Sequence, residues 1–104
     1  MTQKDYLERF QKIADANVAL VARKNADYGS EEDAFKNFSA GEFFGVDRKI
    51  GVLARMVDKM GRVSNLLKRP GAVTDEAIID TLNDLSNYSI ILRLMIEEQS
   101  QKTS

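Results

Sequence analysis

The sequence predicts an all-α fold. Three observations carry that expectation. The chain of 104 residues holds one Pro and only six Gly. Its apolar residues recur at helical rather than alternate spacing. Helix start and stop signals stand where those apolar runs begin and end.

The first helix is expected from about Gln3 to Lys24. Thr2, followed three residues later by Asp5, resembles a capping box with Asp in place of Glu. Tyr6, Phe10, Ile13, Ala14, Val18 and Val21 form its apolar stripe. Asn25 to Asp47 reads as a long connection punctuated by Gly29, Gly41 and Gly45, with short helical turns around Glu31–Lys36 and Ala40–Phe44. Structureless connections of this length are uncommon in compact domains and are often functional.

The second helix is expected from Arg48 to Lys68, with Asp47 as N-cap. Its core face is expected at Ile50, Leu53, Met56 or Val57, Met60, Val63 and Leu67. Lys68 and Arg69 suit the C-terminal end of the helix dipole, and Pro70-Gly71 stops it. The third helix is expected from a Thr74 N-cap to about Gln99, with Asp75 and Glu76 favourable in its first turn. Ile78, Leu82, Leu85, Ser89, Leu92 and Ile96 mark one face of it. From Ile90 to Ile96 the helix is apolar almost all round, and such a helix needs burial on all sides. In a chain this short that implies a partner subunit, in a homodimer or homotetramer. The tail from about Ser100 is polar.

Composition bounds the function. The length predicts a single domain over residues 1–104. A formal charge of −1 gives no reason to expect direct nucleic-acid or membrane binding by bulk electrostatics. The absence of Cys and His excludes disulfides, Cys/His zinc sites and Ser-His-Asp chemistry. No signal-peptide core or bilayer-length apolar run is present, so a cytoplasmic location is expected.

Three features could carry chemistry. Asp80 and Asp84 stack at i, i+4 on one helix, and Asp58 lies on the other. If the helices pack antiparallel, the three carboxylates can meet and suit a divalent cation. The plainer reading is a solvated acidic face, with Asn83 and Asn87 beside it. Arg55, Lys59 and Arg62 form a cationic stripe that could hold polyphosphate oxygens. The plainer alternative is pairing of Arg55 and Arg62 with Asp58 along the helix. Finally, Lys24-Asn25-Ala26-Asp27-Tyr28-Gly29 and Phe35-Lys36-Asn37-Phe38 gather amides and aromatics near a helix end. They could read and stack a base, or the aromatics could only anchor the loop to the core.

Those two segments, then Arg55-Met56-Val57-Asp58-Lys59-Met60-Gly61-Arg62 and Asp80-Thr81-Leu82-Asn83-Asp84-Leu85-Ser86-Asn87-Tyr88, occur in that order. Together they resemble the nucleotide-modification-associated domain of phages and prophages. That domain is similar to the MazG-like all-α nucleoside triphosphate pyrophosphohydrolases. The resemblance spans Arg23 to about Ile91. It implies a MazG-like antiparallel helical bundle, completed by oligomerisation, that handles a nucleotide with Mg²⁺. In MazG-like enzymes a helix bearing E-E-x-x-E faces one bearing E-x-x-D. Here Asp58-Lys59-Met60-Gly61-Arg62 stands at the first motif and keeps only Asp58. Asp84 matches the last acid of the second motif, Thr81 replaces its Glu, and Asp80 lies one position earlier. The nucleotide-modification-associated branch shares these replacements.

The resemblance thus implies Asp58, Asp80 and Asp84 as Mg²⁺ ligands or catalytic acids. It also implies Arg55, Lys59 and Arg62 as phosphate contacts. Asn25, Asp27, Tyr28 and Asn37 would position base or sugar, and Lys24 and Asn87 complete the substrate-binding set. The leading expectation is a Mg²⁺-dependent nucleoside triphosphate pyrophosphohydrolase-like protein acting on an ordinary or modified nucleotide. The alternatives are a non-catalytic protein that binds or sequesters a nucleotide for phage nucleotide modification, and a structural helical oligomer or adaptor.

Overall fold

Helices account for the regular structure of the computed structural model, which describes residues 1–28, 32–71 and 75–103. Among the described residues there are three α-helices and two short 3-10 turns, and no strand. The chain divides into two compact units, Met1–Lys36 and Asn37–Ser104. No helix among the described residues is long and apolar enough to cross a membrane.

The first unit is built on α1, Gln3–Tyr28. Thr2 caps it as expected: its Oγ1 accepts from the Asp5 N–H at 3.1 Å. Polar i, i+4 pairs run along its surface, such as Gln11 Nε2 donating to Asp15 Oδ1 at 2.9 Å. The helix continues four residues beyond the expected end at Lys24. Asn25, Ala26 and Asp27 carry no helix-breaking restriction, and the first Gly after them is Gly29, outside the described residues. Downstream, the Asp33 carboxylate accepts from the Phe35 N–H at 3.0 Å. This local side-chain bond turns the chain.

A 3-10 turn at Lys36–Phe38 spans the division between the units, and the second unit continues with one at Ala40–Phe44, the latter at the expected place. The expected turn over Glu31–Lys36 begins outside the described residues, and its described part is the turn made around Asp33. Gly45 ends the Ala40–Phe44 turn at φ +77°, a left-handed conformation that glycine adopts without steric cost. The Val46 N–H then reaches the Gly41 carbonyl at 2.9 Å.

Asp47 caps α2, Arg48–Leu67, by accepting from the Lys49 N–H at 2.8 Å. The Lys49 ammonium on the same carboxylate, at 2.9 Å, and the backbone bond hold the Asp47 carboxyl below its usual range. α2 ends at the expected place, and Arg69 meets Asp75 at 2.9 Å in the connection. The expected cap Thr74 lies outside the described residues. Asp75 is a cap of α3, Glu76–Thr103: its carboxylate accepts from the Ala77 N–H at 2.8 Å. α3 runs four residues past the expected Gln99.

The short connection folds α3 back along α2, and the hairpin buries Val52, Ile78 and Met95. Thr81 is also buried, its hydroxyl donating to the Ala77 carbonyl at 2.6 Å. The inward face of α2 is Val52, Met56, Lys59, Val63 and Leu66, all buried or half-buried. This corrects most of the expected face, because Ile50, Leu53, Val57, Met60 and Leu67 are exposed. On α3, Ile78, Leu85 and Leu92 point inward as expected, whereas Leu82, Ser89 and Ile96 do not. Both helices carry apolar residues on more than one side, so periodicity alone does not choose between stripes.

Candidate functional site

One helical stripe of α2 supplies most of the candidate site. Residues three, four and seven apart share a helix face, and Arg55, Asp58, Lys59 and Arg62 have that spacing. They line an open groove of about 730 Å³ together with Val57, Gly61, Asn65, Leu66 and, from α3, Tyr88. All of these residues belong to the second unit.

Lys59 and Asp84 form the link between the helices, with Nζ at 3.0 Å from Oδ2 and both side chains mostly buried. The pair lies at mid-hairpin, where Lys59 on the inward face of α2 meets Asp84 on α3. Arg55 is held differently. Its guanidinium carbon lies 4.6 Å from the centroid of the Phe38 ring. One Nη2 donates to the Asn37 carbonyl at 3.4 Å. Phe38 in turn meets Tyr88 edge to face at 6.2 Å.

Arg62 and Asp58 are exposed, and among the described residues neither side chain makes an ion pair or hydrogen bond. The intrahelical pairing of Asp58 with Arg55 and Arg62, the plainer reading of this stripe, is therefore not formed. A cation and a carboxylate on the same stripe are left to solvent or to a ligand.

The remaining candidates are placed as follows. Asp80 is exposed and makes no ion pair among the described residues. Asn87 is buried at 8% exposure, one turn after Asp84. The Asn37 side chain is exposed, and its backbone carbonyl is the group that meets Arg55. Lys24, Asn25 and Asp27 lie exposed near the C-terminal end of α1, in the first unit. The Tyr28 side chain is outside the described residues. Sequence reasoning missed Asn65, Leu66 and Tyr88 as lining residues and Phe38 as the partner of Arg55. Tyr88 had a usable signal, since it stands four residues after Asp84 on the same face.

A divalent cation held by protein alone needs several oxygen ligands. Among the described residues no three acidic side chains gather closely enough to hold one, and Lys59 engages the Asp84 carboxylate. Among the described residues Asp58, Asp80 and Asp84 are therefore not gathered into one cluster. The groove offers three cations and one carboxylate: Arg55 and Lys59 are held by their neighbours, and the Arg62 and Asp58 side chains are unengaged among the described residues.

Comparison of this chain with family models, with curated proteins and with solved structures finds no match.

Proposed function

We propose that the groove between α2 and α3 binds the phosphate chain of a nucleotide. The protein then acts as a cytoplasmic nucleotide-binding or sequestering protein. The observation that supports this reading is the lining itself: Arg55, Lys59 and Arg62 from α2, with Asp58 among them and Tyr88 from α3. Guanidinium groups meet phosphate oxygens through paired N–H donors, and a lysine adds a point charge. Arg55 and Arg62 can offset part of a triphosphate's charge without a metal, and Lys59 adds to them to the extent that it leaves Asp84. The motif order, which resembles that of the nucleotide-modification-associated domain of phages, suits the same ligand class.

The second reading is the MazG-like one, a Mg²⁺-dependent nucleoside triphosphate pyrophosphohydrolase. Asp58 favours it, because among the described residues it stands unpaired in the groove beside the three cations. Asp58, Asp80 and Asp84 are then the ligand candidates, and the nucleotide's own phosphates supply the rest of the shell. In both readings the protein works as a homodimer or homotetramer.

Calorimetry with nucleoside triphosphates, run in EDTA and in Mg²⁺, tests the proposal alongside a pyrophosphate-release assay. Binding in EDTA without release supports the binder. Binding and release that both require Mg²⁺ move the assignment to the hydrolase. A chain that binds no nucleotide under either condition, and gains no melting temperature from one, is a structural oligomer or adaptor. A ligand at 100 times its Kd adds about 2.7 kcal/mol of stability.

A further inference from the structure

Phe38 lines no part of the groove, yet it touches the two side chains that shape one end of it. Arg55 lies over its face at 4.6 Å, and Tyr88 meets it at 6.2 Å with the rings 85° apart. The turn carrying Phe38 sits against α2 at Gly51, where an added Cβ would come 3.9 Å from the Phe38 carbonyl oxygen. The Asn37 carbonyl takes one Arg55 donor at 3.4 Å.

A guanidinium has five N–H donors in a planar fork. One is engaged by Asn37, and the rest stay available to an anion. A free arginine loses much rotamer freedom when it binds. Stacking on an aromatic face restricts the side chain before any ligand arrives, and it sets the plane of the fork.

We infer that Phe38 is a positioning residue for the phosphate chain: it orients the Arg55 guanidinium over its ring, and Tyr88 holds Phe38 in turn. The inference rests on the reading of the groove as a phosphate site. Phe38 acts through Arg55 and contacts no ligand itself.

The test is a double-mutant cycle on the full chain, read by calorimetry with inorganic triphosphate in EDTA. Phe38→Leu is expected to weaken binding about fivefold, or about 1 kcal/mol. Phe38→Met, which keeps apolar bulk without a ring, should lose as much. Phe38→Tyr should restore wild-type affinity. In an Arg55→Gln background the same Phe38 changes should alter affinity less than about twofold, because the cation they orient is gone. Equal losses in both backgrounds, or full affinity in Phe38→Leu and Phe38→Met, would overturn the inference while leaving the groove a phosphate site. A wild-type protein that does not bind triphosphate would overturn the groove reading and this inference with it.

Discussion

The middle of α3 and its C-terminal half are furnished in opposite ways. Around Asp84–Tyr88 the side chains meet partners from the same chain: Asp84 meets Lys59, and Tyr88 meets Phe38. From Ile90 to Ile96 only Met95 is buried, while Ile90, Leu94 and Ile96 are 57%, 46% and 53% exposed. The hairpin therefore pairs its mid-helix charge at Lys59–Asp84 internally and leaves much of its apolar surface exposed. The exposed stripe of α2 at Ile50, Leu53, Val57 and Met60 repeats the pattern. Polar groups that need defined geometry are held by the chain itself. Apolar surface, which needs only cover, is what the proposed homo-oligomer would bury.

The largest effect should come from breaking the apolar half. Ile90→Glu places a charge within the expected subunit interface, where it costs several kcal/mol if unpaired. Sedimentation should show association at least about 100-fold weaker than wild type, about 2.7 kcal/mol. A wild-type protein that sediments as a monomer at micromolar concentration would end the comparison, because the exposed side chains would then need no partner.

A middle-sized effect is expected at the ion pair. Asp84→Asn leaves Lys59 mostly buried without its counter-charge. The pair lies between the exposed and the fully buried cases, so a loss of about 1–2 kcal/mol is expected in denaturant unfolding. Lys59→Met combined with Asp84→Asn should recover part of that loss, since no lone charge remains. Higher stability in Asp84→Asn alone would show that the pair is a strained functional contact and not a structural one.

The smallest effect belongs to Asp47. Its carboxyl is held below the usual range by Lys49. A group whose pKa is lower in the folded state stabilises the fold above its unfolded value, and that contribution fades as pH falls through the folded one. Thermal melts should therefore show a loss beginning below about pH 4. In Asp47→Asn that part of the pH dependence should be absent, and an unchanged acid profile in the variant would assign the loss to other carboxylates.

Much of the helical layout was legible in the sequence because helix boundaries are written in local chemistry. Thr2, Asp47 and Pro70 each impose a backbone outcome on their neighbours, and Ala40–Phe44 stands as expected before Gly45. The inward faces were less legible. α2 has an apolar stripe through Ile50, Leu53 and Val57 and another through Val52, Met56 and Val63, and only tertiary packing chooses between them. The cationic stripe was readable from spacing, but its neighbours were not. Phe38 lies seventeen residues before Arg55 in the chain, and no periodicity connects a short turn to a helix face. Spacing alone also did not reveal that Lys59, on the same stripe as Asp58, engages Asp84 from across the hairpin.

The central claim is that the groove takes a phosphate chain by its cations. Its most direct test is calorimetric titration of a nucleoside triphosphate, in EDTA, into wild type and Arg62→Gln. Arg62 is exposed and unpaired among the described residues, so the variant should fold and melt as wild type does. The account predicts wild-type binding that weakens with salt and about a tenfold loss in Arg62→Gln, about 1.4 kcal/mol. Absence of binding to wild type, or equal affinity in the two proteins, would contradict it.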